Sequence, residues 1–213
     1  MNTPSLPLTA TLAALVLFSL SPGCGGDDDA VATPDPADTI DVSGPPEEVV
    51  DTWTPPTAWA DDVTRVILAG EQNIQVEEGT LSDGAVIDPN WGHDPDVYCW
   101  IGPQGVLDFG GAHVFYAVEP LVPVNSVLEI ELEPEEGLDL NLYAIAQPIG
   151  TYYVPPHVPS AIDCQNGDEE GAGGTETVEI ATITEPYNLL VGVTGPKGTV
   201  DGGFTLRLTL HEN

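Results

Sequence analysis

Ser126-Val127-Leu128-Glu129-Ile130-Glu131-Leu132-Glu133-Pro134-Glu135-Glu136-Gly137-Leu138-Asp139-Leu140-Asn141-Leu142-Tyr143-Ala144-Ile145-Ala146 alternates apolar and polar residues twice, on either side of one acidic turn. A period of two sets Leu128, Ile130 and Leu132 opposite Glu129, Glu131 and Glu133, and sets Leu138, Leu140 and Leu142 opposite Asp139, Asn141 and Tyr143. The leucine rows are then buried and the polar rows meet water. Pro134-Glu135-Glu136-Gly137 predicts a β-hairpin turn between the two halves. In that hairpin the glutamate row has Asp139 and Asn141 as neighbours and no base.

The same signature recurs outward. Runs at 63–68, 74–77, 98–101, 112–119, 126–133, 138–146, 176–182, 187–193 and 203–210 are short, apolar-rich and separated by Gly, Pro, Asn and Asp. Tyr187, Leu189, Val191 and Val193 alternate, Gly195-Pro196-Lys197-Gly198 and Asp201-Gly202-Gly203 turn the chain, and Phe204, Leu206, Leu208 and Leu210 alternate back. No stretch carries the 3.6 period of a long helix. These runs predict an all-β domain over 63–213, an antiparallel β-sandwich of jelly-roll-like form.

Charge narrows the partners. The chain holds 35 Asp and Glu against 3 Lys and Arg, a net charge of -32. A field of that sign repels polyanions, which excludes nucleic acid and leaves cations and basic patches on proteins as the matched partners. Arg65, Lys197 and Arg207 cannot pair with most of the carboxylates, which must be solvated or share a metal.

Residues 1–23 read as a secretory signal: Leu6 to Leu20 is apolar but too short for a membrane-spanning helix, and it ends in Leu20-Ser21-Pro22-Gly23-Cys24. That ending resembles the lipobox of bacterial lipoproteins. The resemblance implies that Cys24 is acylated and becomes the mature N-terminus, anchoring the chain to a membrane of the bacterial cell envelope, facing the periplasm or the exterior. A signal peptide cleaved without lipidation is the alternative. From the lipidated Cys24 to Asp62 the chain is rich in Asp, Glu and Pro and has no base, so repulsion and fixed proline backbone predict a disordered, extended tether. Its reach is on the order of 100 Å. Trp53 and Trp59, near its end, are expected to pack on the domain that follows.

Setting Cys24 aside leaves Cys99 and Cys164 as an even pair, read in an oxidising compartment as a disulfide. That bond would pin residues 147–175, an acidic and proline-bearing stretch without clear strand pattern that contains Tyr152, Tyr153 and His157.

The strand Leu138-Asp139-Leu140-Asn141-Leu142-Tyr143, the acidic Gly-rich loop, the run from Tyr187 to Val193 and the Gly-rich turn into Gly203-Phe204-Thr205-Leu206-Arg207-Leu208 are together similar to the bacterial pre-peptidase C-terminal domain. The likeness spans about residues 70–210 and places Val114-Phe115-Tyr116 at the family's early aromatic strand. It implies a small β-sandwich of the kind attached to secreted proteases and also found in surface lipoproteins. No peptidase domain accompanies it here.

Catalytic and ligand-binding patterns are sparse. The sequence has no G-x-S-x-G elbow, no H-E-x-x-H helix, no phosphate loop and no EF-hand spacing. His93, His113, His157 and His211 have no partner at ligand spacing, and solvated or packed histidines fit them better than zinc. Calcium is the sharper candidate, because Asp83, Asp88, Asp94 and Asp96 share one turn-rich segment, and Asp163, Asp168, Glu169 and Glu170 share another. Asp94 and Asp96 are its named ligands, for a structural ion and not a cofactor. Trp91, Tyr98 and Trp100 suggest either a sugar-binding platform or a core around the disulfide. The sequence thus points to a non-catalytic envelope module that binds a protein or glycan. A carbohydrate-binding module is the alternative, and a glycan-active enzyme, needing two carboxylates about 5 to 9 Å apart, stands third.

Overall fold

A computed structural model describes residues 54–68, 73–168, 171–182 and 184–212. The signal-like segment, Cys24, Trp53 and the tether up to residue 53 lie outside the described residues, as do Glu169 and Glu170.

Among the described residues ten strands and one short α-helix follow in the order β1 (Thr64–Ile67), β2 (Ile74–Thr80), β3 (Ala85–Val86), α1 (Gly102–Asp108), β4 (Ala112–Val122), β5 (Ser126–Pro134), β6 (Asn141–Gln147), β7 (Asp163–Gly167), β8 (Glu176–Thr182), β9 (Tyr187–Thr194) and β10 (Gly203–Glu212). One sheet runs β1-β4-β9-β6-β7 with β3 against β4, and the other runs β2-β10-β5-β8. The expected β-sandwich is therefore present, antiparallel except where β1 enters alongside β4 in the same direction.

The hairpin expected at 126–146 does not form. β5 pairs with β10, Leu132 opposite Leu206, and with β8, Ile130 opposite Val178. β6 pairs with β9 and β7 in the other sheet. The turn, with Gly137 at φ 84° where a side chain is disfavoured, carries the chain across the core instead of back along it. Alternation identifies a strand's buried face but not its neighbour. Two leucine rows meeting face to face exclude more water than two rows lying side by side. The same correction applies to Tyr187–Val193 and Gly203–Leu210, which fall in opposite sheets as β9 and β10. Asn141 and Tyr143, assigned to water by alternation, are buried in β6.

Tyr98–Ile101 is not a strand. Tyr98 has φ 52°, outside extended backbone, and the Val97 and Tyr98 N–H groups both donate to the Asp94 carbonyl before α1 begins. Residues 147–175 do contain a strand, β7, whose sequence Asp163-Cys164-Gln165-Asn166-Gly167 shows no apolar alternation. β6 supplies its ladder on one side.

The main core lies between the sheets. Leu128, Ile130, Leu132, Val178, Ile180, Leu206 and Leu208 from one side meet Tyr116, Val118, Leu142, Ala144, Leu189, Val191 and Val193 from the other. Each fully buried leucine or isoleucine contributes roughly 1.5 to 3 kcal/mol. A second apolar layer covers the outer face of the β4-β9-β6 sheet: Trp59, Trp91, Cys99, Trp100, Phe109, Phe115, Tyr143, Ile145, Val158 and Leu190. Every residue of β6 and β9 is consequently buried, as befits strands covered on both faces.

Candidate functional site

The second layer holds Trp59, Trp91, Cys99 and Trp100, with Cys164 packed against it, all residues the sequence singles out. Cys99 and Cys164 form a disulfide across a sequence separation of 65, joining β7 to the segment before α1. Asn166 Nδ2 donates to the Cys99 carbonyl beside it, and the Ala161 N–H donates to the Asp96 carbonyl at 2.9 Å. The stretch 96–99 is thus laced to β7 and to the residues just before it. Trp91 and Trp100 sit under this lacing, 7% and 4% exposed. Trp100 stacks on Phe109 with centroids 4.5 Å apart, and Trp91 meets Trp100 edge-on at 4.8 Å. Their faces are spent on packing, so they form a core and not a sugar platform. Of the three aromatics only Tyr98 reaches water. Trp59 packs edge-on against Tyr152 at 5.4 Å and is buried, as expected of an aromatic that closes the tether onto the domain.

His113 and Tyr143 are ionisable groups buried against this layer. His113 Nε2 lies 3.1 Å from the Phe109 carbonyl, which only accepts, so Nε2 carries the hydrogen and Nδ1 accepts the Tyr143 hydroxyl at 2.8 Å. Burial lowers the His113 pKa from 6.5 to about 4, partly opposed by its bond to Phe109. Burial likewise raises Tyr143 well above its usual range. These groups are framework, neutral at physiological pH.

The acidic turns use their carboxylates locally. Asp94 Oδ1 accepts the Asp96 N–H at 3.0 Å, and Asp88 Oδ1 accepts the Asn90 N–H at 3.0 Å. Asp94 and Asp96 are both exposed. Among the described residues no group of three or more His, Cys, Asp or Glu side chains converges as a metal-binding set.

The outer face of the β2-β10-β5-β8 sheet presents the glutamate row. Glu131 faces Arg207, 3.6 Å away, and Glu129 Oε2 lies 2.9 Å from His211 Nε2. The hairpin reading, in which no base adjoins this row, is overturned with the register: the neighbour is β10, not β6. On its other side Glu129 stands directly opposite Glu179.

A groove opens at one edge of the sandwich, where β6 ends, β7 begins, β8 ends and β9 begins. It holds about 520 Å³ and is lined by Ala146, Ile162, Asp163, Ile180, Ala181, Thr182, Thr184, Glu185 and Tyr187. The hydroxyl oxygens of Thr182 and Tyr187 are buried beneath it and adjoin each other. Burial raises the Tyr187 pKa; the nearby Thr182 hydroxyl offsets part of the rise, and the Asp163 charge adds to it. Sequence reading passed over this groove, since its parts come from three separated segments. The one available signal was Tyr187, a phenol at the start of the strand that carries the run Leu189-Leu190-Val191.

No protein-family profile matches the chain, and no curated protein sequence matches it. Among solved structures it is similar to PliG of Aeromonas hydrophila, a periplasmic inhibitor of g-type lysozyme, at 11% identity and TM-score 0.39 over 71% of this chain and 100% of PliG. It is also similar to the pre-peptidase C-terminal domain of a Bacillus anthracis collagenase, at 12% identity and TM-score 0.35 over 71% of this chain and 96% of that domain.

Proposed function

We propose that the chain is a lipid-anchored protein of the bacterial cell envelope, carrying a non-catalytic β-sandwich of pre-peptidase C-terminal type as a binding module on an extended acidic tether. The observation that carries this reading is the Cys99–Cys164 disulfide. It belongs to an oxidising compartment, and with 3 cysteines in the chain it leaves Cys24, at the lipobox-like sequence, as the one not engaged in it. Two or more acyl chains on Cys24 would hold the protein stably, and the tether would carry the sandwich well clear of the bilayer.

A binding role fits the way the ionisable side chains are used. His113 and Tyr143 are spent on each other in the packed layer. The acids of the turns cap backbone N–H groups, and the large surplus of negative charge favours a basic protein surface over a nucleic acid or an anionic lipid.

Mass spectrometry of protein isolated from the envelope tests this directly. A mature chain beginning at acylated Cys24, and its release from the membrane on Cys24→Ala, is the expected result. An intact signal segment, or a mature start at another residue, refutes the anchoring.

A further inference from the structure

β2 is the open edge of its sheet. It pairs with β10 on one side, without a bulge, from Ile74 opposite Thr209 to Thr80 opposite Gly203, and among the described residues no strand lies on its other side. The Leu210 N–H donates to the Asn73 carbonyl at 2.8 Å, so Asn73 turns its backbone groups toward β10. Alternation along an antiparallel ladder then turns the N–H and C=O of Ile74, Val76 and Glu78 outward. Those three residues hold donors and acceptors at the spacing that another strand requires.

The strands that end the sheets elsewhere are guarded. β1 has 4 residues and carries Arg65, paired with Glu119. β7 is bridged to Cys99 by the disulfide, and β8 runs close beside β7, with Glu176 and Thr177 against Gly167. β2 has 7 residues and among them no Pro, Lys or Arg. Its side chains alternate as well. Ile74 and Val76 stand on the outer face, 41% and 42% exposed, beside Thr209 and Arg207. Gln75 and Glu77 stand on the inner face, where Gln75 Nε2 donates to Glu77 Oε1 at 2.9 Å.

We propose that β2 receives an extended segment of a basic protein partner as an added strand, one in which apolar and basic residues alternate; this rests on the reading of the sandwich as a binding module and names how it binds. Cross-strand neighbours share a face, so the segment's apolar residues lie beside Ile74 and Val76 and its basic residues beside Glu77. Charge selects the occupant. A groove of about 220 Å³ at the end of β2 is lined by Glu78, Glu133 and Glu135, with no base among its lining residues, and the whole chain carries a net charge of -32. A second copy brings the same charge to the same edge and is repelled, whereas a basic segment is drawn in before contact.

The test is an NMR titration of the full chain with an acetylated, amidated eight-residue peptide that alternates valine and lysine, at fixed ionic strength. The peptide should saturably shift the amides from Ile74 to Thr80 and slow hydrogen exchange at Ile74, Val76 and Glu78. Methylating the nitrogens of its valines, which exchange hydrogen bonds with Ile74 and Val76, should weaken it about tenfold. Methylating the nitrogens of its lysines, which face away from β2, should leave it bound. Glu77→Gln with Glu78→Gln should weaken the unmethylated peptide about fivefold. Equal binding of the two methylated peptides, shifts spread along the glutamate row of β5, or no response each overturns the proposal. A dimer of the free chain in sedimentation, with those amides already protected, overturns it too, because a second copy then holds the edge. Capture of envelope proteins with the wild type and with Val76→Pro, which removes one outward N–H, separates the two readings. A partner held equally by both refutes the edge and keeps the module. Peptide addition at β2 without any captured partner refutes the module and keeps the edge.

Discussion

Tyr143 Oη lies 2.8 Å from His113 Nδ1, inside a layer of aromatic rings that seals both groups from water. The layer works as a unit: His113 needs to be neutral to accept the Tyr143 proton while it donates to the Phe109 carbonyl.

A pH dependence follows. Unfolded, His113 titrates near 6.5; folded, burial holds it down to about 4. Between those values the unfolded chain binds a proton that the folded chain refuses, so the stability contributed by neutral His113 is complete above about 6.5 and is lost as pH falls toward about 4. The loss amounts to about 3 kcal/mol over the window. Urea midpoints measured from neutral pH down to about pH 5 should fall more steeply for the wild type than for His113→Gln. Parallel slopes would show that His113 is not the group responsible. Tyr143→Phe should cost about 1 to 3 kcal/mol at neutral pH, by leaving Nδ1 buried without a donor.

Gly192 lies opposite Tyr143 across the β6–β9 ladder, and a methyl group there would run into the Tyr143 ring. Gly192→Ala should therefore destabilise by about 1 to 3 kcal/mol through overpacking. Thermal unfolding of the variant checks this, and the double variant Gly192→Ala, Tyr143→Leu should recover part of the loss if the ring is the obstacle.

On the open face of the second sheet, Glu129 has His211 on one side and Glu179 directly opposite on the other. Glu179→Gln should stabilise by a few tenths of a kcal/mol, up to about 1, and Arg207→Gln should destabilise by a similar amount through loss of its Glu131 contact. Both effects should shrink at high ionic strength, because these side chains are well exposed. Midpoints that respond equally to either substitution, or not at all to salt, would contradict the ladder.

Loss of the disulfide should be the largest single effect outside the main core. In the chain-entropy view, closing 65 residues stabilises by roughly 4 kcal/mol. Replacing Cys99 and Cys164 together by serine should lower the unfolding midpoint accordingly, and it should loosen β7 first in hydrogen exchange, since that strand has β6 on only one side.

How far the sequence foretold this molecule depends on what a two-residue period encodes. It reports which face of a strand is buried, and Leu128, Ile130 and Leu132 are buried as it says. It does not report which strand lies alongside, so both expected hairpins proved to be crossings between sheets. Alternation also fails where both faces are covered. Asn141 and Tyr143 read as solvent-facing, and the uninterrupted apolar run Leu189-Leu190-Val191-Gly192-Val193 was the mark of a doubly covered strand. β7 carries too few apolar residues to be seen, and α1 opens on Gly102-Pro103-Gln104-Gly105 with no apolar stripe. The cysteine pair was legible from the count alone. The groove was not, because Asp163, Thr182 and Tyr187 come together only through the sheet-to-sheet connections.

Those connections also set an order of assembly. β9 and β10, the two most C-terminal of the described strands, lie in the interior of their sheets: β9 between β4 and β6, β10 between β2 and β5. Until they emerge from the ribosome, β1 can pair with β4, β6 with β7 and β5 with β8, but nothing joins these pairs into two sheets. Neither sheet can close early, and both are completed by adjacent segments of the same short stretch of chain.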